Sequence, residues 1–175
     1  MIHRNAMIAL AALAAGCTTL GMGGHPTAVA NLEATKGNSV TGRVTFVQEG
    51  DGVHVTVSLA GLPPNSEHGF HVHEKGDCSS GDGMSTGGHF NPGGKPHGPQ
   101  SGEHHAGDMP SLSADSYGNV NASFVLQGVS IGGGGGGADL VGRGVIVHRD
   151  ADDFKTQPTG NSGPRIACGV IVKTQ

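Results

Sequence analysis

The sequence predicts an all-β sandwich or barrel. Three observations carry that reading. Valine-rich segments alternate with a clean period of two, no sustained helical period occurs, and 33 glycines among 175 residues punctuate short apolar stretches. The glycines follow no triplet period, so a fibrous chain is excluded and turns between strands are expected. The length suits one domain once a leader is removed.

The start of the chain reads as an export signal. Arg4 gives a positive start, Ala6 to Ala15 form a short apolar run, and Ala14-Ala15-Gly16-Cys17 follows. Small residues ahead of a cysteine resemble a bacterial lipoprotein cleavage site, with residues 1–16 removed and Cys17 lipidated. Cleavage after Ala28-Val29-Ala30 is the alternative. The apolar run is too short to span a bilayer, which takes ~20 residues. Residues 17–30 are small, polar and glycine-rich, and read as a flexible tether. The expected location is the periplasm, with membrane contact only through the Cys17 anchor.

From Asn31 the strands begin. Val40, Val44 and Phe46 alternate with Thr41, Arg43 and Thr45, and Val53, Val55, Val57 and Leu59 alternate with His54, Thr56 and Ser58. Val120, Ala122, Phe124 and Leu126 form a third such face. Leu140 to His148 and Ile166 to Val172 are rich in Val and Ile and read as further strands. Two long irregular stretches, 74–115 and 149–164, exceed the length of idle loops and are expected to be functional. The Gly132–Gly137 run reads as a permissive connection, since no Lys-Ser/Thr or helix start follows to hold a phosphate. With a net charge of −4, nucleic acid is not expected as a partner.

Of three cysteines, Cys17 goes to the anchor, which leaves Cys78 and Cys168. In an oxidising compartment they would pair, whereas two buried free thiols do not suit an exported protein.

Chemistry concentrates in the histidines, of which there are 11. His71-Val72-His73 lies in a strand-like run, where residues i and i+2 share a face with Cα atoms roughly 6.5–7 Å apart. Two imidazoles so placed can converge on one ion. His89, His97 and His105 follow in glycine- and proline-rich loops, Asp108 stands close behind His105, and His148 ends a strand. Imidazoles suit copper and zinc, and a carboxylate adds an oxygen ligand that zinc accepts. Six histidines and one aspartate exceed the needs of one four-coordinate ion. Two adjacent ions sharing a ligand is the economical reading.

Five motifs then resemble one family in its order. They are Gly69–Asp77, Gly88-His89-Phe90-Asn91-Pro92, His105-Ala-Gly-Asp108, His148-x-x-Ala-Asp-Asp153, and Thr159-Gly-Asn-Ser-Gly-Pro-Arg165-Ile-Ala-Cys168-Gly. Together they are similar to copper/zinc superoxide dismutases of bacterial type, over nearly all of residues 31–175. The resemblance implies a flattened eight-stranded Greek-key β-barrel, an immunoglobulin-like sandwich with two functional loops. It implies copper on His71, His73, His89 and His148, and zinc on His89, His97, His105 and Asp108, with His89 shared. It further implies that Asp152 orients ligands of both sites, that Arg165 draws superoxide to the copper, and that Cys78 pairs with Cys168.

The implied activity is dismutation of superoxide to oxygen and hydrogen peroxide, protecting the cell envelope, with Arg165 and His89 as the catalytic residues. A copper-storage protein would keep the ligands but has no use for Arg165. An adhesive β-sandwich would not need the copper set complete. His25, His54, His68 and His104 are expected to be solvated neighbours. Lys75, Lys95, Arg149 and Lys155 are surface charges that could steer an anion. A homodimer and a monomer both fit the sequence.

Overall fold

The computed structural model describes residues 24–133 and 137–175. The expected leader, Cys17 and the first part of the tether lie outside those residues, as do Gly134–Gly136 of the glycine run. Among the described residues no helix is long and apolar enough to cross a membrane.

Among the described residues twelve strands form, and helical structure is limited to one 3-10 turn at Met84–Thr86. The strands are β1 (Thr27–Ala34), β2 (Thr41–Glu49), β3 (Gly52–Ala60), β4 (Glu67–His68), β5 (Phe70–His73) and β6 (Leu112–Ser113). They continue with β7 (Val120–Gln127), β8 (Val129–Ser130), β9 (Ala138–Asp139), β10 (Gly144–His148), β11 (Arg165–Val170) and β12 (Val172–Lys173). Eight of them join one curled antiparallel sheet in the order β5-β10-β11-β1-β2-β3-β7, with β12 paired to β1. The chain runs from β3 at one side of this order to β5 at its far end. It then returns to lay β7 beside β3, the long crossing that Greek-key connectivity requires.

The period of two sets the core. Val53, Val55, Val57 and Leu59 of β3 are buried, while Thr56 and Ser58 are exposed. Val44 and Phe46 of β2 and Val145 and Val147 of β10 fill the same interior. Strands β5 and β10 are buried on both faces. Phe70, Val72, Val145 and Val147 belong to the core cluster. The alternate residues His71, His73, Ile146 and His148 sit on the other face of the pleat, roofed by the first long loop.

The structure corrects the sequence reading in three places. Residues 17–30 are not all tether, because β1 starts at Thr27 and buries Ala28 and Ala30 completely. The strand expected over 140–148 starts only at Gly144, after a turn at Val141–Gly142. The first long loop is not wholly irregular, since it contains the 3-10 turn and β6, which pairs with β4.

Candidate metal centre

Strand β5 presents His71 and His73 on one face, with ring centroids 6.4 Å apart. The residue between them organises the surrounding loops. Val72 N–H donates to the Gly107 carbonyl at 2.8 Å, and Phe90 N–H donates to the Val72 carbonyl at 2.9 Å. Gly107 N–H closes the triangle on the Phe90 carbonyl at 2.8 Å. One residue of β5 therefore holds both the His89 loop and the His105–Asp108 loop against the histidine pair. A Cβ on Gly107 would run into the Val72 carbonyl, so glycine is required for that approach.

His148 enters from β10. The register of β10 against β11 shifts between Val147 and His148, which pairs His148 with Arg165 across the strands. Donor atoms of His71, His73, His89 and His148 lie within 4.8 Å of one another, and all four residues are buried.

Each of these rings has one nitrogen satisfied by protein and one bare. His71 Nε2–H donates to Asp152 Oδ2 at 2.6 Å, and His73 Nδ1–H donates to the Gly87 carbonyl at 3.0 Å. His148 Nδ1–H donates to the Gly163 carbonyl at 3.0 Å, and His89 Nδ1 lies 2.9 Å from Asp108 Oδ1. His71 Nδ1, His73 Nε2, His89 Nε2 and His148 Nε2 have no hydrogen-bond partner in the protein. A buried polar atom left so costs about 1–3 kcal/mol. Four of them within 4.8 Å of one another could hold a metal ion, with the outer nitrogens fixed as ligating imidazoles require.

The protonation states agree. Burial lowers His71 to about 4 and His148 to about 3, against the opposing pull of their hydrogen bonds. Both rings are therefore neutral at pH 7, the form that binds a cation.

A second set lies on the other side of the His89 ring. Asp108 Oδ2 lies 3.0 Å from His97 Nδ1, and Asp108 Oδ1 lies 3.3 Å from His105 Nδ1. His105 Nδ1 lies 3.4 Å from His89 Nδ1. Tetrahedral ligands at zinc bond lengths stand about 3.3 Å from one another, so this spacing fits that ion. The 4.8 Å spacing also groups His89, His97 and Asp108 with His71. His71, however, has a single free nitrogen, and the first set uses it. His105 completes the second set.

Asp152 joins the two sets. Its Oδ2 accepts from His71 and its Oδ1 accepts from His97 Nε2–H at 2.9 Å. Burial would raise its pKa, but these hydrogen bonds outweigh burial and hold it well below the usual carboxylate range. Asp108 is held low in the same way by His89 and His97. His97 between the two carboxylates is pushed up to about 9 despite burial.

Arg165 stands beside the first set. Its Nη1 donates to the Gly83 carbonyl at 2.7 Å and to Thr86 Oγ1 at 2.8 Å. Its Nη2 donates to the Gly87 carbonyl at 2.7 Å, the same oxygen that accepts from His73. One carbonyl thus sets the guanidinium against a ligand of the first set. Cys78 and Cys168 are disulfide-bonded with Cα atoms 5.9 Å apart. The bond ties the loop carrying Gly83, Thr86 and Gly87 to β11, three residues from Arg165.

Every ligand candidate read from the sequence is in one of the two sets. The family profile described as Copper/zinc superoxide dismutase (SODC) matches residues 40–171. The chain belongs to the copper/zinc superoxide dismutase family.

Among relatives in that family, it is similar to Superoxide dismutase [Cu-Zn] 2 of Aquifex aeolicus (strain VF5). The two are 41% identical over 145 residues, covering 81% of this chain and 84% of the relative. Superoxide dismutase [Cu-Zn] of Paramecium bursaria Chlorella virus 1 is 41% identical over 139 residues, covering 75% of this chain and 72% of its own. Two solved structures share the superoxide dismutase-like fold. A double mutant of a SOD-like protein from Bacillus subtilis superposes with a TM-score of 0.72 at 37% identity, over 82% of this chain and 96% of that one. The clock protein EA4 gives a TM-score of 0.75 at 39% identity, over 88% and 98%.

Three residues of this superoxide dismutase family site were not found by sequence reasoning. His68, read as a solvated neighbour, is fully buried. Its Nδ1–H donates to the His148 carbonyl at 2.8 Å and its Nε2 lies 2.6 Å from Ser66 Oγ. It props the backbone of His148, a member of the first set, a role no periodicity announces. Thr86 gives Arg165 an acceptor, and Gln157 bonds the His97 backbone. His25 is exposed, and His54 and His104 are partly buried.

Proposed function

We propose that this chain dismutates superoxide in the bacterial envelope. Copper is held by His71, His73, His89 and His148, and zinc by His89, His97, His105 and Asp108, with His89 shared. The observation that carries the reading is the set of four bare imidazole nitrogens with Arg165 fixed beside them through Gly87. Family and fold alone do not decide it, because sites rather than folds carry activity and one structural neighbour is described as a clock protein.

When bound, copper supplies a one-electron couple and zinc a redox-inert charge. Two superoxides and two protons give one dioxygen and one hydrogen peroxide, the electron lost by the first anion being gained by the second. Arg165 binds and orients the anion. A guanidinium has about five N–H donors, and three of its bonds go to Gly83, Thr86 and Gly87. The remaining donors present a planar fork to a small oxyanion. His89 is the proton-handling residue, because only Nε2 of its ring is uncommitted in the protein while Nδ1 stays anchored toward Asp108. Asp152 keeps the His71 and His97 rings aimed.

The envelope location rests on the export signal and on the Cys78–Cys168 disulfide, which persists in an oxidising compartment. Lipid attachment at Cys17 belongs to the same proposal.

The deciding experiment is superoxide decay with the copper- and zinc-loaded protein against its zinc-only form. Fast decay that requires copper supports the reading, and Arg165→Ala lowers the rate with copper content unchanged. No acceleration with copper bound would leave a copper-binding relative without the activity.

A further inference from the structure

We infer that Gln157 is the positioning residue that fixes the zinc ligand His97, and that zinc retention depends on its side-chain amide. The inference rests on the zinc-ligand reading proposed above. His97 lies in Pro96-His97-Gly98-Pro99, a segment outside any strand and flanked by residues that lack an N–H. Among the described residues no backbone–backbone hydrogen bond reaches the His97 peptide groups. Gln157 satisfies both. His97 N–H donates to Gln157 Oε1 at 2.8 Å, and Gln157 Nε2 donates to the His97 carbonyl at 2.9 Å. The amide meets the His97 backbone as a neighbouring strand would, across 60 positions of sequence. Its third bond, from Nε2 to the Lys155 carbonyl at 3.2 Å, steadies the amide itself.

The second long loop therefore grips His97 twice. Asp152 holds the far ring nitrogen, and Gln157 holds the main chain. With both ends fixed, the imidazole has one direction left for Nδ1, toward Asp108 at 3.0 Å. Without the amide, the backbone of the 96–99 segment keeps the Gly102 N–H bond to the Pro99 carbonyl at 2.9 Å and, next to His97, one anchor, Gly98 N–H donating to Asp108 Oδ2 at 3.2 Å. That anchor itself depends on a zinc ligand. Because Gln157 is exposed, its replacement removes these bonds without opening a cavity. Its side-chain hydrogen bonds go to His97 and Lys155 and to no residue of the copper set, so the effect falls on zinc.

The test compares Gln157→Met, which keeps the length and loses both bonds, with Gln157→Ala and the unchanged full chain. Zinc affinity is read by chelator competition, and the zinc site by the visible absorption of bound Co(II). Copper affinity is measured with zinc saturating. Orienting partners of metal ligands change affinity by about 10–100-fold, and both variants are expected to lose zinc by that factor with altered Co(II) bands and unchanged copper affinity. Gln157→Met with native zinc affinity overturns the inference, as does an equal loss of both metals, which marks general loosening. His97→Ala separates the two claims. If His97→Ala retains zinc, the ligand reading fails. If it loses zinc while Gln157→Met does not, only the role of Gln157 fails.

Discussion

At the scale of single residues, the site is defined by which nitrogen of each imidazole is already bonded. The bare atom is Nδ1 in His71 and Nε2 in His73, His89 and His148. The choice is made by a carboxylate for His71 and by peptide carbonyls for His73 and His148. Arg165 is aimed by the same means, and Thr86 is the one side chain among its acceptors. Thr86 is fully buried and its hydroxyl donates to the Gly83 carbonyl at 2.8 Å. Thr86→Val should lower kcat/KM for superoxide by roughly three- to tenfold, since a hydrogen bond to a charged group contributes about 1.5–3 kcal/mol and two acceptors remain. Copper content should not change, and Thr86→Ser should restore the rate. Pulse-generated superoxide decay reads all three. The clustering of these histidines with Asp108 was legible in the sequence because few residue types bind such ions and the spacing restricts them further. His68 was not, because its burial depends on which loops close over it, and its own neighbours in sequence carry no sign of that.

At the scale of elements, two loops with little regular structure are held in register by short strands and by glycine. Gly160 shows how closely the second loop fits. Its φ is +65°, and a Cβ there would collide with Asp152 Oδ1 and crowd His97 Nε2. Gly160→Ala is expected to destabilise the protein by about 1–3 kcal/mol through backbone strain alone, and to weaken retention of both metals because Asp152 is displaced. Metal analysis after dialysis, with thermal unfolding, checks it. Reduction of Cys78–Cys168 opens a link spanning 90 positions. The chain-entropy model gives that closure up to ~4.5 kcal/mol. Urea unfolding of reduced against oxidised protein should show a loss within that bound, with activity falling as the loop that holds Arg165 loosens. Strands β2, β3 and β7 were legible from their alternation. Strand β1 was not: alanine is a weak strand former, and Ala28 and Ala30 are needed only because the core leaves them little room.

At the scale of the whole molecule, the candidate metal centre is part of the interior, since His71, His73, His89, His97, His105, Asp108 and His148 are all buried. Removal of zinc and copper should lower Tm by roughly 10 °C or more. An ion present at about a thousandfold over its Kd adds about 4 kcal/mol, and each kcal/mol moves Tm by about 2–4 °C in a chain of this size. Scanning calorimetry of loaded and stripped protein measures the difference. Cys17→Ser should release the mature protein from membranes in fractionated cells, and a wild type that is already soluble would remove the anchor from the proposal. The Greek-key architecture was legible mainly through the linked motifs, because pairing order between distant strands leaves no local periodicity. Asp152, finally, gives its two oxygens to two different rings, one from each donor set. A carboxylate shared in this way would couple the occupancies of two ions held by these sets. Whatever factor zinc adds to the affinity for copper, copper must add to the affinity for zinc.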